Sequence, residues 1–241
     1  MHKRLSKSVL ALTAGGMLLA ACANAPLPSA SVTQSRHTEN SCMAEEERYS
    51  IAASQARATE AILAPVLQVF GNLFTDIARR ITGGVVSTAD IQRAIGELTT
   101  AIEEDQQRIN DYQARFEEVT ACRERRAMEI NREAKRQQMD REEANARLAT
   151  LKMAQEEDIR TARATNAEID KRNKSYKDSI VQSRSQVREA GMSDADLMDA
   201  ERQLQTNQSE LVESERKVAA ADARVEGTFT LSGQGKKVRY A

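Results

Sequence analysis

The sequence has few aromatic residues and few residues that break helices. Only 3% of its 241 residues are aromatic, Trp is absent, and there are three prolines. So little aromatic area makes a thick globular core hard to build. Between Glu97 and Ala190 there is neither Gly nor Pro, and 29% of the chain is charged. This composition is typical of long, solvated helices.

Histidine is almost missing as well. The only two, His2 and His37, precede the helical region, which therefore has no imidazole for acid–base catalysis or metal binding. It also contains no Gly-rich phosphate loop, no nucleophile elbow and no metal-ligand spacing of cysteines. The formal net charge is −1, which does not favour nucleic acid. We predict a protein that is not an enzyme, uses no cofactor or metal and does not bind nucleic acid.

The N-terminus has the organisation of an export signal. Three basic residues precede an apolar stretch, residues 8–21, that is short for a membrane span. It ends in Leu19-Ala20-Ala21-Cys22, which resembles the lipobox of bacterial lipoproteins. The resemblance implies removal of residues 1–21 by cleavage after Ala21, and attachment of diacylglycerol and a further acyl chain to Cys22. The alternative is an ordinary cleaved signal followed by a chance cysteine.

The residues after Cys22 bear on where such a lipoprotein would be held. Ala23 replaces the Asp that usually marks inner-membrane retention, so the resemblance favours the outer membrane, facing the periplasm, and leaves surface exposure open. Several acyl chains make a stable anchor. Residues 22–39 hold Pro26 and Pro28 among small polar residues without hydrophobic periodicity, which predicts a flexible tether.

Apolar residues at heptad spacing predict a helical body, residues 40–225, with helices at about 40–82, 88–190 and 194–225. The short link at Gly83-Gly84 makes the first two antiparallel. Residues that face each other in such a hairpin have a constant sum of positions. The heptad residues obey this rule in the pairs Phe70 with Ile95, Leu63 with Ile102, Ala56 with Ile109, and Tyr49 with Phe116.

The same register places Cys42 opposite Arg123, beside Cys122. These are the two cysteines that remain once Cys22 is lipidated, and exported proteins meet an oxidising environment. We therefore predict a disulfide between Cys42 and Cys122. Closing a loop of this size would stabilise the fold by roughly 4 kcal/mol. Two free thiols are the alternative.

A second hairpin is predicted around Met192. Gly191 should end the long helix, and Ser193 with Asp196 resembles a capping box for the next. Its seam includes Asn166 and Asn173, which we interpret as structural residues that set the register. The 94 residues from Glu97 to Ala190 would span roughly 140 Å if this second helix were unbroken. Its charged middle, residues 123–158, would have no intramolecular partner and would be either solvated or an oligomer contact.

Two further segments could meet partners. Residues 61–75 carry no charge and predict self-association, or else docking to another protein or a bilayer, through Val66, Val69, Phe70, Leu73 and Phe74. In the C-terminal tail, residues 226–241, alternation at 228–232 and the turn-forming sequence Gly233-Gln234-Gly235 favour a short β-hairpin. The tail's bases could contact anionic lipid or peptidoglycan; they are Lys236, Lys237 and Arg239.

The predicted fold is all-α, an elongated antiparallel coiled coil of three long helices in two hairpins, with a short β-hairpin at the C-terminus. The predicted function is that of a membrane-anchored, non-enzymatic structural, tethering or adaptor component of a cell-envelope assembly, acting as a homo-oligomer or with a protein partner. The alternative is a subunit of a secretion, conjugation or efflux apparatus that docks a channel through its hairpin tips.

Overall fold

The computed structural model of the protein describes residues 42–58 and 87–233. In these residues it has four helices and no strand: α1 (Met43–Arg57), α2 (Thr88–Lys135), α3 (Arg141–Glu189) and α4 (Ala195–Thr228). The all-α prediction is confirmed. No helix in this part of the chain is long and apolar enough to cross a membrane. The predicted signal, tether and apolar patch (residues 1–21, 22–39 and 61–75) lie outside the described residues.

The predicted helix 88–190 is wrong, because the chain reverses at residues 136–140. Gln137 has a positive φ of 58°. Its N–H bonds to the Ala134 carbonyl at 3.2 Å, and the Gln138 N–H bonds to the Glu133 carbonyl at 3.0 Å. This pair of bonds forms a helix C-cap that usually has Gly at the positive-φ position. Because Gln occupies it here, no Gly marks the turn in the sequence.

Helix α3 begins and ends with capping contacts. The Asp140 Oδ1 accepts a hydrogen bond from the Glu143 N–H at 2.8 Å, which satisfies one of the free donors of the first turn. At the other end Gly191 has a φ of 65°, and the Met192 N–H bonds to the Val187 carbonyl at 2.9 Å. The predicted stop at Gly191 is confirmed.

The predicted start of α4 is one residue off. Asp194 is the N-cap and makes no side-chain capping bond. The Ser193 Oγ instead accepts from the Ala195 N–H at 3.2 Å, so Ser193 is not the capping residue that the sequence predicted.

Helices α2, α3 and α4 pack along their lengths as an up–down–up bundle. Ion pairs between α2 and α4 join residues about 100 positions apart, such as Glu117 with Lys217 at 2.5 Å and Glu124 with Arg224 at 3.0 Å, so these two helices are parallel. Helix α3 is antiparallel to both and, at 49 residues, is roughly 73 Å long. Residues 123–158 therefore pack on one another across the reversal. The prediction that they lack an intramolecular partner is wrong.

Helix α1 packs on α2 and α3 near the middle of the bundle. The ring of Tyr49 lies 5.7 Å from that of Phe116, as the predicted register requires. The helix ends at Arg57, and Ala58 has a non-helical ψ of 86°. The helix predicted at 40–82 therefore ends early, at Arg57. Residues 59–86 lie outside the described residues.

The chain after α4 is not a strand. Phe229 and Leu231 are both buried in the core, and the Ser232 N–H donates to the Asn131 Oδ1 at 2.8 Å. The alternation of apolar residues therefore caps the end of the bundle and does not build the first strand of the predicted β-hairpin. Residues 234–241, with Lys236, Lys237 and Arg239, lie outside the described part.

We expect Gln137→Gly to raise the free energy of unfolding by about 0.5–1 kcal/mol. An L-residue with a side chain strains this conformation by about 1–2 kcal/mol, partly offset by the larger unfolded-state entropy of Gly. Thermal unfolding followed by circular dichroism measures the change. Gln138→Gly, whose φ is not positive, is the control and should be neutral or destabilising; equal effects of the two changes would contradict the assignment.

Candidate functional site

The disulfide joins the N-cap residue of α1 to the C-terminal third of α2. Cys42 and Cys122 are bonded, with their Cα atoms 5.9 Å apart, within the usual range for a disulfide. The bond closes a separation of 80 residues. The predicted pairing is confirmed, and it is the one predicted site that the described residues contain in full.

Arg123, next to Cys122, is the centre of a buried polar cluster that links three helices. It is 2% exposed. Its Nη2 lies 2.9 Å from the Glu46 Oε1 of α1, and its Nη1 pairs with Asp158 and donates to the Gln155 Oε1 of α3. The Gln155 amide in turn donates to the Thr120 Oγ1 at 3.0 Å. The disulfide and the ion pair of Arg123 with Glu46 therefore fix α1 at one position along α2.

Tyr49 extends this cluster along α1. Its hydroxyl donates to the Asp158 backbone carbonyl at 2.9 Å, and its ring packs beside Tyr112 as well as Phe116. Burial raises the pKa of the Tyr49 and Tyr112 phenols well above their usual value, so both stay protonated donors. Burial also raises the pKa of the Asp158 carboxyl, although the Arg123 charge opposes the shift.

A second buried ion pair lies further along α2 and α3. Asp105 and Arg172 are both 0% exposed. The carboxylate accepts from the Arg172 Nη2 at 2.7 Å and from the Nε at 3.0 Å, a bidentate geometry. Burying two charges costs several kcal/mol each, which only such close pairing offsets. The pair therefore fixes the register of α2 on α3 more than it adds stability.

Between the two ion pairs, neutral polar groups connect all three long helices. The Asn166 Oδ1 accepts from the Tyr112 hydroxyl of α2 at 3.2 Å and from the Ser214 hydroxyl of α4 at 2.9 Å. The interpretation of Asn166 as a structural, hydrogen-bonded seam residue agrees with this geometry. Asn173 is different, because neither of its amide atoms has a hydrogen-bond partner among the described residues.

These contacts hold the helices of the bundle together. In residues 42–58 and 87–233 no group of three or more His, Cys, Asp or Glu side chains could hold a metal ion. The buried charges of Asp105, Arg123 and Arg172 are ion-paired. The buried hydroxyls of Thr165, Ser179 and Ser183 donate to backbone carbonyls of their own helix. Comparison of the chain with protein-family models, with curated proteins and with solved structures found no match.

The Cys42–Cys122 disulfide was predicted from the sequence, and the buried ion pairs were not. Cys42 and Cys122 meet as expected, whereas Cys22 with its motif Leu19-Ala20-Ala21, and the patch Val66, Val69, Phe70, Leu73 and Phe74, lie outside the described residues. The sequence analysis placed Arg123 in the charged middle of a long single helix and made no prediction for Arg172. Arg123 lies seven residues after Phe116, at apolar heptad spacing, and this was the signal that could have revealed it once the chain was folded back at Met139. Arg172 gave no such signal, because Thr165 and Ser179 stand one heptad before and after it.

We expect Arg172→Met to lower the free energy of unfolding by about 3–5 kcal/mol, because it leaves the Asp105 carboxylate buried without its partner. The double change Asp105→Leu with Arg172→Met should recover most of this loss. Urea unfolding measures both. The exposed Arg160→Met is the control, expected within about 0.5 kcal/mol of the unmodified protein. A double variant as unstable as the single one would contradict the pairing argument.

We expect Asp158→Asn to gain stability relative to the unmodified protein as the pH rises from about 4 towards neutrality. The folded-state pKa of Asp158 is raised above an unfolded value of about 3.9. In this window the folded chain holds more protons than the unfolded chain, so the Asp158 contribution to stability falls with rising pH. Asn does not titrate and escapes the loss.

Urea unfolding of both proteins across this pH range tests the expectation, with Glu157→Gln as a control for the loss of one exposed negative charge. Parallel stability curves for Asp158→Asn and the unmodified protein would contradict it.

Proposed function

We propose that the protein is an exported lipoprotein, held on the periplasmic face of the outer membrane by an acylated Cys22. Its helical bundle, of coiled-coil type, acts as a non-enzymatic spacer or adaptor in a cell-envelope assembly. The observation that carries the proposal is the Cys42–Cys122 disulfide. Structural disulfides persist in oxidising compartments. An export signal that ends in the lipobox-like Leu19-Ala20-Ala21-Cys22 would bring the chain to such a compartment.

The contacts between the helices support a spacer role. Specific bonds join neighbouring helices: α1 to α2 by the disulfide, α2 to α3 by Asp105 with Arg172, and α2 to α4 by Gln113, whose amide donates to the Glu210 carbonyl at 2.7 Å. Such bonds select one register over the alternatives that a uniform apolar seam allows. A bundle of this kind holds its ends at a fixed distance, which is the physical requirement of a tether or adaptor.

Metabolic labelling with radioactive palmitate in a diderm bacterial host tests the anchor. The unmodified chain is expected to incorporate label and to fractionate with the outer membrane. Cys22→Ser is expected to lose both, because the acyl chains are attached to that sulfur. The matched control, Cys42→Ser with Cys122→Ser, should keep the label and lose only the mobility difference between reduced and unreduced samples on a gel. An unlabelled wild-type chain, or a labelled Cys22→Ser chain, would sink the proposal.

A further inference from the structure

The two ends of the bundle carry opposite charge. The 17 residues 125–141, around the α2–α3 turn, contain six bases and three acids, whereas the 17 residues 186–202, around the α3–α4 turn, contain two bases and five acids. Antiparallel packing of α3 on both neighbours puts these turns at opposite ends. The bundle is therefore an electrostatic dipole along its length.

The positive end is also rich in cations without an ion-pair partner. Five exposed side chains there have no carboxylate within 4.0 Å among residues 42–58 and 87–233; we call them the turn cations, and they are Arg125, Arg132, Lys135, Arg136 and Arg141. Their neighbours Arg126 and Arg147 are paired, with Glu129 at 3.0 Å and Glu143 at 2.6 Å. Pairing within one helix is the usual arrangement on this surface, so the turn cations are the exception.

Both ends of the described chain lead towards this positive end. Helix α1 is antiparallel to α2, so its N-terminus at Cys42 points to the α2–α3 turn and lies roughly 20 Å from it along α2. A coil the length of the predicted tether between Cys22 and α1 reaches roughly 25 Å. Ser232 is tied to Asn131 at the same end, and the sequence continues from there with three more bases, Lys236, Lys237 and Arg239.

We propose that the turn cations bind the anionic phospholipid surface of the membrane that carries the lipid anchor, so that the bundle stands with its α2–α3 turn on the membrane and its acidic end away from it. A cationic group within a Debye length of such a surface is attracted to it. The acidic end is repelled by the same surface. This inference rests on the proposed anchoring and adds the orientation of the bundle.

Vesicle binding by the chain that starts at residue 22 and carries Cys22→Ser tests the proposal without the acyl chains. It is expected to sediment with phosphatidylcholine vesicles that contain phosphatidylglycerol and not with phosphatidylcholine alone, and to be released by raised salt. Replacing four turn cations should lower the partition coefficient at least about ten-fold; the changes are Arg132→Gln, Lys135→Gln, Arg136→Gln and Arg141→Gln.

A matched variant removes the same total charge elsewhere, through Arg93→Gln, Lys177→Gln, Arg188→Gln and Arg202→Gln, and should bind as the unmodified chain does. Circular dichroism melting of both variants checks that they remain folded. Equal loss in the two variants, or none in the turn variant, would overturn the proposal. Binding to purified peptidoglycan in place of the anionic vesicles would overturn it as well and would identify a different polyanion.

The absence of Trp allows a direct test of orientation. A single Trp placed at the turn by Gln138→Trp should show a blue-shifted emission on addition of the anionic vesicles, whereas Glu189→Trp at the opposite end should not. Equal shifts would mean that the bundle lies flat. Because these measurements use unacylated protein and palmitate labelling uses the native signal, failure of the orientation and failure of the anchor are distinguishable.

Discussion

The antiparallel pairing of α2 with α3 is the contact on which the other features of the bundle depend. It exists because the chain reverses at Gln137, in a conformation that strains any residue except Gly. The reversal brings Gln155 and Asp158 to Arg123, and Arg172 to Asp105. It also creates the two grooves in which α1 and α4 pack. Without it Asp105, Asp158 and Arg172 would lie on the surface of a single helix without these partners, and Arg123 would keep only Glu46 of α1.

The composition of this core explains why ion pairs and a disulfide occur together. Alanine and polar side chains bury little apolar area, so hydrophobic burial alone distinguishes weakly between neighbouring registers. A buried ion pair adds little net stability, yet a register shift that separates its charges costs several kcal/mol. The disulfide adds stability in a different way, because it lowers the conformational entropy of the unfolded chain. The ion pairs therefore select the helix register, and the disulfide stabilises the folded chain.

Heptad spacing and Gly191 were sufficient to predict the all-α fold, the turn at Gly191 and the disulfide, because each depends on local pattern or on a register that the pattern defines. The reversal at residues 136–140 was missed since the two signs of a helix stop, Gly and Pro, do not occur there. Two weaker signs were present. Asp140 and Glu143 have capping-box spacing, and Ile130 with Leu148 and Phe116 with Ala162 keep a constant sum of positions centred on Met139. The ends of α1 and α4 depend on tertiary packing, which the spacing does not encode.

The position of the disulfide has a mechanical consequence if Cys22 carries the anchor. Tension along the tether would enter the bundle at Cys42, the residue immediately before α1. Pulling on the free end of a short helix unfolds it one turn at a time, and α1 has only 15 residues.

The bond from Cys42 to Cys122 transfers the load at that first residue to the 48-residue α2. The adjacent Arg123, buried against α3 through Asp158, spreads it to a third helix. A disulfide placed one heptad further along α1 would close a loop about 14 residues shorter and give almost the same chain-entropy stabilisation. It would, however, leave the first two turns of α1 free to unfold under tension. The location of the bond thus suits a chain that is pulled from its N-terminus, a property that its contribution to stability alone does not explain.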